Sequence, residues 1–228
     1  MTFRYENQKY KQGYSHVIGC DEVGRGCLAG PVVAAAVVLL PVKSGKYKVK
    51  SLAGVRDSKL LSPEKREELD SIIKDSALAW GIGVVDERTI DKINIHRASL
   101  MAMRWAVENV EARLGVPFHD GMPQSTAATF LCVDGKFPIP GLKLDQQPII
   151  DGDNKILSIA AASIIAKVYR DNLMRKLHQQ YPIYNFYQHK GYATLFHRTA
   201  ILRHGLSPIH RLSFCGHLGS KIPIDHRV

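Results

Sequence analysis

Residues 31–40, PVVAAAVVLL, constrain the fold more than any other stretch of this chain. The run carries no charge, yet it is far shorter than the ~20 residues of a membrane-spanning helix. Its β-branched content reads as a buried strand. Similar runs occur as VIGC at 17–20, WGIGVV at 80–85 and TFLCV at 129–133, and a short strand is expected at 148–150. Helical patterns fill the intervals. Residues 62–75 open on Ser62-Pro63-Glu64, which combines a cap, a helix-compatible proline and a first-turn acid. Residues 89–114 repeat apolar groups at Ile93, Leu100, Met103, Val107, Val110 and Leu114. A second long helix is expected from about residue 155 to 180, stopping before Pro182, and a short one over 193–204, ending at Gly205. Residues 116–128, with Pro117, Gly121 and Pro123, read as a loop. Interleaved strands and helices predict an α/β fold with a mixed sheet flanked by helices. The expected division is a core over 1–183 and a C-terminal helical extension over 184–228 packed on that core.

Charge points to the partner. Lys and Arg total 31 against 21 for Asp and Glu, a formal net charge of +10. Such an excess favours a polyanion, because phosphate binding is largely Coulombic. An anionic membrane would attract the same charge. No amphipathic basic helix or lipidation motif supports that option, so no membrane partner is expected. The N-terminus, MTFRYENQKYKQ, lacks the apolar centre of a secretory signal, and the expected location is the cytoplasm. Cys20, Cys27, Cys132 and Cys215 form no C-x-x-C pair and are expected to be reduced, packed as small apolar groups. Ten histidines, six of them after residue 188, show no H-E-x-x-H spacing. They read as surface or substrate-side groups rather than a metal cage.

Three places can carry chemistry. Asp21-Glu22 directly follows an apolar strand and precedes a glycine-rich loop, where ligand sites collect in α/β sheets. Taken alone, the pair fits a solvated acidic turn equally well. Asp134-Gly135 repeats the pattern of strand, acid and glycine, although Asp-Gly is also a common turn. Ser163, Lys167 and Asp171 are spaced by four on an otherwise apolar helix, so they form one polar stripe that should face a cleft. A simple Lys167–Asp171 pair is the alternative. Converging acids suit two divalent cations, which together can act on a phosphodiester. Gly24-Arg25-Gly26 follows the first acid pair and offers close backbone approach plus a phosphate donor. A tight turn explains that tripeptide too. No third glycine at dinucleotide-fold spacing and no P-loop motif is present.

The string CDEVGRGCLAGPVVAAAV at 20–37 resembles the N-terminal signature of ribonuclease HII. DSKLLS at 57–62, Asp134-Gly135, GDNKILSIAAASIIAKVYRD at 152–171, HKGYATLFH at 189–197 and SPIHRLSF at 207–214 resemble further motifs of that family, in family order. The resemblance implies a ribonuclease H-like core with a C-terminal helical extension. It implies that Asp21, Glu22, Asp134 and Asp171 are the catalytic, metal-binding acids, holding two Mg²⁺ or Mn²⁺ ions. It implies that Gly24, Arg25 and Gly26 read the ribonucleotide through its 2′-hydroxyl and flanking phosphate, and that Tyr192 stacks on the adjoining sugar. Ser58, Lys59, Ser163 and Lys167 would contact phosphates. The implied activity is a monomeric endonuclease acting on RNA–DNA hybrids and on ribonucleotides embedded in duplex DNA, leaving 5′-phosphate and 3′-hydroxyl ends. Few residues precede the first strand, unlike the sister type, ribonuclease HIII, with its long N-terminal domain. A non-catalytic nucleic-acid-binding module is the rival reading. It would need the basic surface but not four acids.

Overall fold

A computed structural model describes residues 2–40, 52, 54–56, 58–115 and 128–216. Nearly all of the loop expected at 116–128, together with Asp57 and the tail from 217, lies outside the described residues. The strands are β1 (His16–Val23), β2 (Val32–Leu39), β3 (Ala77–Val85), β4 (Thr129–Asp134) and β5 (Asp145–Ile149). The α-helices are α1 (Arg4–Lys11), α2 (Pro63–Ser76), α3 (Glu87–Ile93), α4 (Ile95–Leu114), α5 (Leu157–Gln180), α6 (Phe186–His189), α7 (Leu195–His204) and α8 (Leu212–Cys215). The sheet order is β3-β2-β1-β4-β5. β1, β2 and β3 pair antiparallel, while β1–β4 and β4–β5 are parallel, giving the expected mixed sheet.

Every residue of β2 is buried because helices cover both faces. Val33, Ala35, Val37 and Leu39 share a core with Leu157, Ala161, Ile164 and Ile165 of α5. Ala34, Ala36 and Val38 share the opposite core with Ala98, Ala102, Ala106 and Val110 of α4. Each large aliphatic side chain so buried contributes roughly 1.5–3 kcal/mol. Gly19 lets α5 begin directly against β1, since a Cβ there would lie 2.2 Å from the Ser158 carbonyl carbon. The start of α5 has no cap from its own flanking residue. Instead the fully buried Glu6 carboxylate, carried by α1, accepts a hydrogen bond from the Ser158 N–H at 2.8 Å.

Several expectations need adjustment. The pattern over 89–114 is two helices, broken at Asn94, whose φ of 69° interrupts the spiral. Its side chain then caps α4 by accepting from Arg97 N–H at 3.1 Å. Apolar spacing continues across this break, so periodicity does not register it. β5 starts at Asp145, earlier than expected. α2 begins as predicted, with Ser62 Oγ accepting from Lys65 N–H. All four cysteines are free and buried, as expected. Three histidines are not at the surface: His189, His197 and His210 are buried in one cluster.

The chain after α5 does not stand apart from the sheet. Tyr184, Phe186, Ala200, Ile201, Ile209 and Cys215 form one apolar cluster with Leu28, Ala29 and Met174. Backbone bridges join Cys27 to Tyr192 and Ala29 to His210. The segment after residue 183 therefore packs against the 24–31 loop and α5. No described helix is long and apolar enough to cross a membrane.

Candidate metal centre

β1 and β4 run parallel with Cys20 opposite Val133. One step further along that register stand Asp21 and Asp134, at the carboxyl ends of neighbouring strands. The acids belong to the strands rather than following them: Asp21 and Glu22 pair with Ala35 and Ala34 of β2, and Asp134 closes β4. Alternation sends Asp21 toward the α5 face and Glu22 toward the α4 face. The two carboxylates nonetheless meet, because one oxygen each from Asp21, Glu22 and Asp134 lies within 4.8 Å of the others. Asp134 Oδ1 accepts from Gly152 N–H at 2.7 Å, and Asp21 Oδ1 accepts from Glu22 N–H at 2.7 Å.

Electrostatics make this cluster unfavourable on its own. Burial pushes the Asp21 carboxyl well above the usual carboxylate range, and the charges of Glu22 and Asp134 push it further. Asp134 is raised mainly by burial, with Asp153 and Glu22 adding to the rise. Glu22 Oε1 receives the Arg25 guanidinium at 2.8 Å, while Oε2 is buried without a hydrogen-bond partner. Converging oxygen donors, like-charge strain and an orphaned buried oxygen are what a hard divalent cation would relieve. The residues fit such an ion.

The structure separates the four acids expected there. Asp171 is not in the cluster; its oxygens lie 2.8 Å from Lys167 Nζ and 3.9 Å from Arg66 Nη2. Ser163, whose hydroxyl reaches Asp21, stands two helical turns earlier on α5, about 12 Å along the axis. Sharing a helix face is therefore not sharing a site. Asp153 was missed. It is buried in the 3₁₀ turn Gly152–Asn154, its charge acts on both Asp21 and Asp134, and Lys59 Nζ lies 3.4 Å from it. In the sequence Asp153 looks like any acid ahead of a helix. Only the contact of its turn with Asp134, through Gly152 N–H, brings it to the site.

The remaining candidates divide in a similar way. Ser58 and Ser163 are buried with hydroxyls 2.9 Å apart, forming a chain that ends on Asp21 rather than a surface for phosphate. Lys167 pairs with Asp171 and also stands 5.9 Å from the Tyr192 ring. Tyr192 is half-exposed and bridged to Cys27, so it borders the 24–26 loop. In that loop Gly24 has φ 93°, and a Cβ there would lie 2.2 Å from Arg170 Nε. A Cβ at Gly26 would meet nothing within 4 Å.

Known proteins resemble this chain in sequence and in fold. The sequence profile of the family described as Ribonuclease HII matches residues 18–217. The protein named Ribonuclease HII from Dehalococcoides mccartyi is 46% identical over 209 residues, covering 92% of this chain and 90% of that one. The protein of the same name from Geobacter sulfurreducens is 47% identical over 218 residues, covering 94% and 90%. Among solved structures, ribonuclease H2 from Pyrococcus horikoshii superposes with a TM-score of 0.64 at 26% identity, covering 89% of this chain and 96% of that one. The ribonuclease HII of Archaeoglobus fulgidus, solved in complex with PCNA, shares the fold with a TM-score of 0.67 at 24% identity, covering 90% and 97%.

Proposed function

This chain belongs to the ribonuclease HII family, and from that premise and its site we propose that it cuts RNA–DNA hybrids and incises duplex DNA 5′ of single embedded ribonucleotides. The family makes it an endoribonuclease. The products are 5′-phosphate and 3′-hydroxyl ends. The observation that carries the reading is the carboxylate cluster at the ends of β1 and β4, directly beside a loop whose Gly26 faces open space.

In this proposal Asp21, Glu22, Asp134 and Asp153 hold two divalent ions, Mg²⁺ or Mn²⁺. Bound there, such ions would supply a lowered water pKa and charge compensation at the phosphate. The chain's own residues do the rest. Ser58 and Ser163 hold the Asp21 carboxylate in place. Arg25 orients Glu22 and presents positive charge beside the backbone of the substrate. Gly24, Arg25 and Gly26 approach the ribose, where only the 2′-hydroxyl and sugar shape distinguish RNA from DNA. Tyr192 lies against the adjoining sugar, and Lys59 and Lys167 place cations near flanking phosphates. The enzyme acts as a monomer in the cytoplasm. A duplex carrying one ribonucleotide, incubated with and without Mg²⁺, tests this. The expected result is a single metal-dependent cut on the 5′ side of the ribonucleotide. Cutting in chelator, or at all-deoxy positions, would remove the proposal.

A further inference from the structure

Arg170 and Arg211 are fully buried, which is costly for a charged side chain. Every hydrogen bond from their guanidinium groups ends on a backbone carbonyl. Arg211 donates through Nη2 to Gly24 at 2.8 Å, through Nη1 to Arg25 at 2.9 Å and through Nε to Gly30 at 2.9 Å. Arg170 donates through Nη2 to Ala29 at 3.2 Å, through Nε to Pro31 at 2.9 Å and through Nη1 to Lys190 at 2.9 Å. Burial lowers the Arg211 pKa to about 10, so it remains charged at neutral pH. Two side chains thus grip both ends of the 24–31 loop and, through Lys190, the segment that carries Tyr192.

The grip has a directional consequence. Within a planar trans peptide the C=O and the following N–H point in opposite directions. With the Gly24 and Arg25 carbonyls drawn inward to Arg211, the N–H groups of Arg25 and Gly26 turn outward. Among the described residues neither N–H meets an acceptor, and the space at Gly26 is open. Two aligned donors beside an open position match a ribose hydroxyl with its neighbouring phosphate.

We propose that Arg211, with Arg170, is a positioning residue for ribonucleotide recognition: it sets the direction of the 25 and 26 N–H groups and the separation between that loop and Tyr192. This rests on the reading that the loop touches the ribonucleotide. Arg211→Lys keeps the charge but cannot make three fixed bonds. At a temperature where circular dichroism shows it folded, it is expected to lose about tenfold or more of kcat/KM on the one-ribonucleotide duplex. Mn²⁺ binding by the acids should be unchanged. Arg211→Ala should lose at least as much and recover part of the rate with methylguanidinium at non-denaturing concentration. Wild-type kcat/KM in Arg211→Lys overturns the inference. So does a loss matched by equal loss of Mn²⁺ binding or of folded fraction, and so does failure of both variants to fold. Gly26→Ala tests the underlying reading separately. If it cleaves normally, the loop does not touch the ribonucleotide. If it is crippled while Arg211→Lys is normal, only the positioning inference fails.

Discussion

Gly24 and Gly26 lack side chains for different reasons. At Gly24 a Cβ collides with Arg170 and the backbone has φ 93°, so Gly24→Ala should lower stability by about 1–3 kcal/mol. At Gly26 a Cβ meets nothing. Gly26→Ala should therefore keep the wild-type melting temperature and lose cleavage if, as proposed, the ribonucleotide fills that space. Melting curves and rates on the same preparations check both; a large stability loss at Gly26 would contradict the open position. The acids admit a similar contrast. Asp134→Asn and Asp153→Asn should keep a native circular dichroism spectrum while losing Mn²⁺ affinity and most of the rate. Asp171→Asn should keep Mn²⁺ affinity, since its carboxylate is engaged by Lys167 and Arg66 rather than by the cluster. Calorimetric Mn²⁺ titration that showed equal losses at Asp171 and Asp134 would return Asp171 to the metal centre.

At the scale of elements, the C-terminal helices are tied to the 24–31 loop by a relay of neutral histidines. Ser207 N–H donates to His210 Nδ1 at 2.8 Å, which leaves Nε2–H of His210 to donate to His197 Nε2 at 3.0 Å. His197 Nδ1–H then donates to the Tyr192 carbonyl at 2.9 Å. His189 stacks on His197, accepts from Gly191 N–H and donates to the Tyr184 carbonyl. Phe186 and Tyr184 pack edge-on against these rings, and the positive charge of Lys190 lowers the His189 pKa further. Burial depresses the His197 pKa to about 4 and that of His210 to about 3. Unfolded histidine titrates near pH 6.5, so between about 6.5 and 3 the unfolded chain binds more protons. Unfolding free energy should consequently fall as pH drops through that window. Urea midpoints from pH 7 to 4 measure it, and His197→Gln with His210→Gln should flatten the slope. An unaltered slope would mean other groups dominate the acid response.

The whole molecule is basic, with a formal charge of +10, yet it gathers acids at one spot. The surface charge and the acidic centre have separable signatures. Substrate binding should weaken steeply with salt as counterions are no longer released against a dilute background. Divalent ions should act instead on the fold: without them Asp21, Glu22 and Asp134 repel one another in a buried setting. Mn²⁺ should raise the melting temperature of the wild type, with the rise following ligand concentration. Asp21→Asn should melt higher than the metal-free wild type by a few degrees, roughly 1 kcal/mol, and gain nothing from Mn²⁺. A melting temperature for Asp21→Asn below that of the metal-free wild type would show that the carboxylate stabilises the fold by itself.

The strands, most helices and the three clustered acids can be read from residue neighbours alone. PVVAAAVVLL announces a strand covered on both faces, Ser62-Pro63 announces the start of α2, and DEVGRG at 21–26 marks the loop next to the acids. These signals are local: burial, capping and turn chemistry act between near neighbours in the chain. The choice between Asp153 and Asp171 was not local. Asp153 lies in the turn just before α5 and Asp171 within that helix, and spacing along it places Asp171 on the face of Ser163 and Lys167 without saying how high on the axis the site lies. That height is decided by the β1–β4 register and by the Gly152 contact with Asp134, pairings across more than 100 and 18 residues respectively. The burial of Arg170 and Arg211 was likewise invisible, because their guanidinium groups are satisfied largely by backbone carbonyls from distant segments. Long-range pairing carries no signature in the neighbours of a residue, so only the folded chain reveals which polar groups meet.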